Sequence, residues 1–258
     1  MLAPHGILRF NHDPVGTRDE MTTLAILTAA GSGSRLGRDL PKALVELDGF
    51  PLVLHAARRL AASGVVDSLV VTAPDGLVGV MTDLLANDPQ VQISVQVTDG
   101  GPTRQASVAA GLALASRRDN VVLVHDAARP LVPPDLVQRV VGAVRGGHGA
   151  VVPGVPVTDT VKQVRPDGDA ELVTGTPDRS MLRAVQTPQG FARDLLVRAH
   201  RTGARRAVAE HLAATDDAGL VEALGEPVHM VAGDAAAFKI TTERDLWLAS
   251  LVLQETNA

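Results

Sequence analysis

Leu24-Ala25-Ile26-Leu27-Thr28-Ala29 runs directly into Ala30-Gly31-Ser32-Gly33-Ser34-Arg35-Leu36-Gly37. The first six residues are apolar except for Thr28, which suits a strand buried on both faces. The small residues that follow leave backbone N–H groups open to close approach by an anion. Their spacing, G-x-G-x-x-x-G, misses the dinucleotide fingerprint by one residue, and the loop lacks the G-K-[ST] of a P-loop. Arg35 follows the glycines and Lys42 comes seven residues later, so the loop carries two cations. Cations at that place suit a nucleoside triphosphate better than a dinucleotide.

Outward from this stretch, short β-rich runs alternate with amphipathic segments. Helices are predicted over 51–63, 77–86, 103–115 and 133–144, and strands over 68–73, 91–97, 121–124 and 149–152. Such βαβαβ alternation with short connections implies a doubly wound, mostly parallel α/β sheet covered on both faces. The pattern then changes. Residues 153–185 hold Pro, Gly and Thr turns, with short alternating pieces at 160–164 and 171–174 on either side of Pro166-Asp167-Gly168-Asp169. This predicts a protruding β-hairpin arm, which alone could not bury itself and so should lie on a second subunit. Helices at 191–200, 216–224 and 242–253 and a strand at 228–231 complete the chain. Residues 1–20 read as a tail or an upstream start, and 21–258 as a single domain.

Composition narrows the functions. The chain of 258 residues is 45% hydrophobic and 21% charged, enough for a large core and too apolar for wholesale disorder. It has no cysteine, which excludes a thiolate metal site, a disulfide framework and a cysteine nucleophile. A net charge of −5, 2% aromatics and no Tyr argue against nucleic acid as partner. No apolar run approaches the roughly 20 residues that span a bilayer, and the first twenty residues lack a signal-peptide layout. The expected compartment is the cytoplasm. Only three of 24 basic residues are lysines, Lys42, Lys162 and Lys239. Each falls in a motif.

His125-Asp126-Ala127-Ala128-Arg129-Pro130 ends a buried strand. In open parallel sheets, ligands collect beyond the carboxyl ends of strands. Asp126 beside a triphosphate is the expected Mg²⁺ ligand, because Mg²⁺ takes one or two carboxylates plus phosphate oxygens. His125 should face the other way, as a satisfied core histidine. Gly100-Gly101-Pro102-Thr103-Arg104-Gln105-Ala106-Ser107 links a strand to a helix, and its backbone and Ser107 could hold a base or ribose. Thr103 could equally be a helix cap. Asp159-Thr160-Val161-Lys162, Asp178-Arg179, Thr187-Pro188-Gln189, Thr215-Asp216-Asp217 and Lys239-Ile240-Thr241 each fit a turn, cap or solvated charge when taken singly.

Taken in order, these motifs over 22–254 resemble the 2-C-methyl-D-erythritol 4-phosphate cytidylyltransferase family. The resemblance implies a Rossmann-like nucleotidyltransferase fold and a reaction in which CTP and a polyol phosphate give a CDP-polyol and pyrophosphate. It implies that Arg35 and Lys42 stabilise charge on the α-phosphate and leaving group. Ala29, Ala30, Gly31, Gly33, Gly101 and Ser107 would hold the nucleotide. Asp126 would bind Mg²⁺ and orient the acceptor, while Arg179 and Lys239 grip the acceptor phosphate, with Thr160 and Thr187 near it. It further implies a homodimer in which the arm carries Thr160 and Arg179 into the partner's site. The chain departs from the family pattern at Ser34, often charged in relatives, and at Pro102 within the glycine-rich turn. A ribitol-5-phosphate cytidylyltransferase, a nucleotide-sensing module without turnover and, against the cationic loop, an NAD-dependent oxidoreductase are the alternatives.

Overall fold

A computed structural model describes residues 21–31, 40–210 and 216–257. The expected tail at 1–20, together with Gly33, Arg35 and Thr215, lies outside the described residues.

The chain begins its sheet with β1 (Thr22–Thr28). A short β2 (Glu46–Leu47) and β3 (Phe50–Pro51) pair leads into α1 (Leu52–Ala62), β4 (Ser68–Ala73), α2 (Val78–Ala86), β5 (Ser94–Asp99) and α3 (Arg104–Leu112). Next come β6 (Asp119–Asp126), α4 (Pro134–Arg145), β7 (Ala150–Pro156), the hairpin β8 (Gln163–Asp167) and β9 (Ala170–Gly175), β10 (Arg183–Val185) and β11 (Gln189–Ala192). The chain closes with α5 (Arg193–Glu210), α6 (Asp217–Glu222), β12 (His229–Ala232) and α7 (Glu243–Asn257).

The sheet has the order β10-β7-β11-β6-β1-β4-β5, with β12 added beside β7. Its centre is parallel, β6, β1, β4 and β5 all running the same way, whereas β11 is antiparallel to both neighbours. Side chains alternate strictly between faces. Ala25, Leu27, Leu69, Val71, Val121 and Leu123 pack under α1, α2 and α4. Leu24, Ile26, Val70, Val122 and Val124 pack under α3, α5 and α6. Both faces of β1 are therefore dry, as its unbroken apolar run requires. A third cluster seats α7 on β2 through Leu47, Leu246, Ala249 and Leu253.

Three expectations shift. The strand predicted at 91–97 lies at Ser94–Asp99, because pairing with β4 in the register Ser68↔Ser94 to Ala73↔Asp99 sets its bounds. The helix predicted from 191 starts at Arg193. Phe191, fully buried, belongs instead to β11, which fills the gap between β6 and β7. Within the predicted arm, 154–156 and 183–185 pair with each other as part of the main sheet, so the separate hairpin is β8–β9 alone. Every residue of β8, and all of β9 except Gly175, is exposed.

Candidate active site

β1 and β6 are neighbours whose last residues pair, Thr28 with Asp126. The chain leaves β1 toward β4 on one side while β6 lies on the other, so a crevice opens beyond their carboxyl ends. A cavity of about 550 Å³ occupies it. Thr28, Ala29, Ala30 and Gly31 form one wall, Gly101 to Arg104 and Ser107 another, and Lys42, Ala43, Asp126, Ala127, Ala128, Lys239 and Thr241 the rest.

The glycine-rich turn before α3 is shaped by close approach. A Cβ on Gly100 would lie 2.3 Å from the Ala30 Cβ, and one on Gly101 would lie 2.4 Å from the Ala106 Cβ. The cap of α3 is Thr103, whose Oγ1 accepts from Ala106 N at 3.1 Å. Ser107 lies one turn into α3, where its Oγ accepts from Gly101 N at 3.0 Å and donates to the Thr103 carbonyl at 3.0 Å. Ser107 thus pins the turn while lining the cavity.

Asp126 is the electrostatic centre. Lys239 Nζ donates to Oδ2 at 2.7 Å and Arg104 Nε to Oδ1 at 3.1 Å, while Thr28 Oγ1 lies 3.3 Å from Oδ1. Burial alone would raise the carboxyl, but the two cations outweigh it and hold Asp126 well below the usual carboxylate range. Arg104 also donates to Asp217 Oδ2 at 2.6 Å, and Asp217 in turn bonds His200 Nε2 at 2.8 Å. Burial works against the Arg104 charge, and the two carboxylates overcome it. Lys239 is delivered by the turn before α7. There Asp245 Oδ2 accepts from the backbone N of Thr241 and Thr242, both at 2.8 Å, and from Thr241 Oγ1 at 2.7 Å.

His125 faces away from the cavity, as predicted, and is fully buried. Thr187 Oγ1 accepts from Asp126 N at 3.1 Å, so its hydroxyl proton points to His125 Nδ1 at 2.9 Å, leaving Nε2–H for the Arg129 carbonyl. Burial drives the imidazole down to about 4, so it is neutral at pH 7.

Of the predicted site residues, Ala29, Ala30, Gly31, Lys42, Gly101, Ser107, Asp126 and Lys239 converge on this cavity. Thr187 stands behind it, holding the Asp126 backbone. Thr160 and Arg179 do not line it; the Arg179 guanidinium instead donates to the Thr158 carbonyl. Sequence assigns Asp217 and His200 no role, and Arg104 only a place in a motif. Asp217 stands 113 residues from Arg104, and its one signal is its position in Thr215-Asp216-Asp217.

A doubly wound sheet with a small-residue, cation-bearing crevice at its strand ends defines a nucleotide-binding α/β protein. The family model described as IspD, 2-C-methyl-D-erythritol 4-phosphate cytidylyltransferase, matches residues 23–255. A protein of that name from Nocardia farcinica is 51% identical over 92% of this chain and 96% of its own. One from Streptomyces avermitilis is 50% identical over 93% of each. The crystal structure of the Thermus thermophilus enzyme superposes with a TM-score of 0.69 at 38% identity, covering 89% of this chain and 98% of that one. The chain belongs to the 2-C-methyl-D-erythritol 4-phosphate cytidylyltransferase family and is a nucleotidyltransferase.

Proposed function

We propose that the cavity beyond β1 and β6 is where CTP and 2-C-methyl-D-erythritol 4-phosphate meet. The reaction gives 4-diphosphocytidyl-2-C-methyl-D-erythritol and pyrophosphate, a step of isoprenoid biosynthesis. The observation that carries this placement is one cavity holding a narrow Ala29-Ala30-Gly31 and Gly101-Ser107 wall together with Lys42 and the Asp126–Lys239 pair.

An oxygen of the acceptor phosphate attacks the α-phosphorus in line, the bond to the β-phosphate oxygen breaks, and pyrophosphate leaves. No protein nucleophile is needed. Charge gathers on the equatorial and leaving oxygens, so the protein contributes position and positive potential. In this reading Lys42, with Arg35, meets the α-phosphate and the leaving group. Lys239 grips the acceptor phosphate beside Asp126, and the alanine and glycine wall leaves room for a pyrimidine.

Among the described residues no cluster of three or more His, Asp or Glu could cage a metal. A Mg²⁺ carried by the triphosphate needs fewer protein ligands, and Asp126 is the carboxylate in the described lining. The donor set fits an ion of that kind, which when bound would draw charge from the departing pyrophosphate.

The active unit on this reading is a homodimer, with Arg179 and Thr160 acting in the partner's site. Its support is the exposed hairpin, with Val164, Leu172 and Val173 each more than 40% exposed, and the turn that follows it, where Met181 is 81% exposed. Neither Arg179 nor Thr160 lines this chain's own cavity, as expected of groups used in trans. Among the described residues no helix is long and apolar enough to cross a membrane. The compartment on this reading is the cytoplasm, with CTP drawn from the pool there.

The test is pyrophosphate release from CTP with 2-C-methyl-D-erythritol 4-phosphate or ribitol 5-phosphate, with and without EDTA. Release with the first acceptor alone, abolished by EDTA, is expected. Release with neither, or equal rates with both, overturns the reading.

A further inference from the structure

Two cations share the Asp126 carboxylate, and their surroundings differ. Lys239 reaches it from a turn at the rim, with 39% of its side chain exposed on a flexible stem. Arg104 is held at both ends. Its Nε meets Asp126 Oδ1, and its Nη1 meets Asp217 Oδ2 at 2.6 Å, with the Asp217 side chain only 1% exposed. Asp217 is itself fixed from behind, its other oxygen 2.8 Å from Nε2 of His200, a side chain 5% exposed on α5. For Arg104 to swing to a phosphate it must abandon a buried carboxylate, and stranding a buried charge is strongly unfavourable. When Lys239 moves, Asp126 keeps its bond from Arg104 and is not stranded.

We infer that Arg104 is a positioning residue: a strut anchored by Asp217 and His200 that orients the Asp126 carboxylate from the nucleotide-side helix α3. Lys239 is then the cation that leaves Asp126 for the acceptor phosphate. The strut joins the first turn of α3, next to the Gly100-Gly101 turn, to the first turn of α6, so the nucleotide wall and the acceptor end are tied by one guanidinium. A planar fork spans two carboxylates in a way that a single ammonium does not, which accounts for arginine at 104 and lysine at 239. The inference rests on the acceptor being seated beside Asp126.

The experiment varies each substrate in turn in the pyrophosphate assay, using full-length D217N, D217E, R104Q and the R104Q/D217N double variant, with melting curves on the same samples. D217N is expected to raise KM for the polyol phosphate about tenfold, as for loss of a charge-assisted bond, and to leave KM for CTP within about twofold. D217E should recover most of the loss, because it restores a carboxylate. The double variant should be no worse than R104Q, because the anchor has no purpose without the strut. KM values for both substrates rising equally, no recovery in D217E, or losses that multiply in the double variant would overturn the strut.

Should D217N fail to fold, H200Q weakens the anchor from behind and carries the same split, about threefold, while an even effect on both substrates counts against the inference. D126N separates the strut from the seating of the acceptor. If D126N leaves the acceptor KM unchanged, the seating of the acceptor is wrong. If D126N raises it and D217N does not, the strut alone is wrong.

Discussion

Asp245→Ala tests how the Lys239 turn is held. One carboxylate oxygen, Oδ2, accepts two backbone N–H bonds and a hydroxyl from Thr241 and Thr242, while Thr242 Oγ1 accepts from Asp245 N at 3.2 Å. This closes the first turn of α7 on itself, with the acid where the helix dipole favours it. Burial opposes the charge, and the hydrogen bonds prevail, setting the carboxyl at about 2 against 3.8. Taken at face value that gap is worth about 2 kcal/mol, but the group is partly exposed and solvent screening reduces it to about 1 kcal/mol. Loss of a cap side chain lies in the same range, about 0.5–2 kcal/mol. The folded-state value is depressed, so the contribution is complete above the unfolded value near 4 and fades as pH falls toward 2. Urea denaturation of parent and variant should therefore differ by about 1 kcal/mol at pH 7 and by roughly half that at pH 3. Because Lys239 lies two residues before the tethered Thr241, KM for the acceptor should also rise a few-fold while KM for CTP holds. A variant as stable as the parent at pH 7, or a difference unchanged at pH 3, would show that this carboxylate does not hold the turn.

Lys42→Ala and Arg35→Ala should each lower kcat by about 10²–10³, the size of one preorganised donor, and steady-state turnover near the parent's would remove either from the mechanism. Mixing inactive Lys42→Ala with Arg179→Ala protein tests the shared site. If the arm crosses, half of the randomly paired dimers regain one intact site and activity returns to about a quarter of the parent's; no recovery after subunit exchange places Arg179 in its own chain's site.

The fold was legible where one physical requirement acted alone. Leu24–Leu27 could be placed because burial on both faces demands an unbroken apolar run, and α3 because Thr103 and the glycines before it mark a helix entrance. β11 was not legible. Its residues Gln189-Gly190-Phe191-Ala192 have no period, and only the gap between β6 and β7, filled antiparallel with Phe191 buried, makes them a strand. β5 was legible as a strand, because Ser94 and Gln96 alternate with Val95 and Val97, but its bounds were not, because the register with β4 sets them. At the site, small residues and cations next to a strand end announced the cavity. The Arg104–Asp217–His200 chain did not announce itself, because α3, α5 and α6 come together only on the folded sheet.

On the proposed reading, a carboxylate where two polyanions meet looks counterproductive, since Asp126 by itself repels both substrates. Besides the carboxylate it would offer to Mg²⁺, it offsets the repulsion between the cations themselves. Arg104 and Lys239 both reach one carboxylate, each within 3.1 Å of one of its oxygens, and without an anion between them two positive charges so close would repel and splay. Asp126 keeps them at their stations before any phosphate arrives, so the ordering is done at folding and not at binding. On the proposed reading the incoming acceptor exchanges one anion for another at Lys239, while the anchored guanidinium keeps Asp126 in place. An acidic protein with few lysines can in this way concentrate positive potential at one crevice without carrying a basic surface.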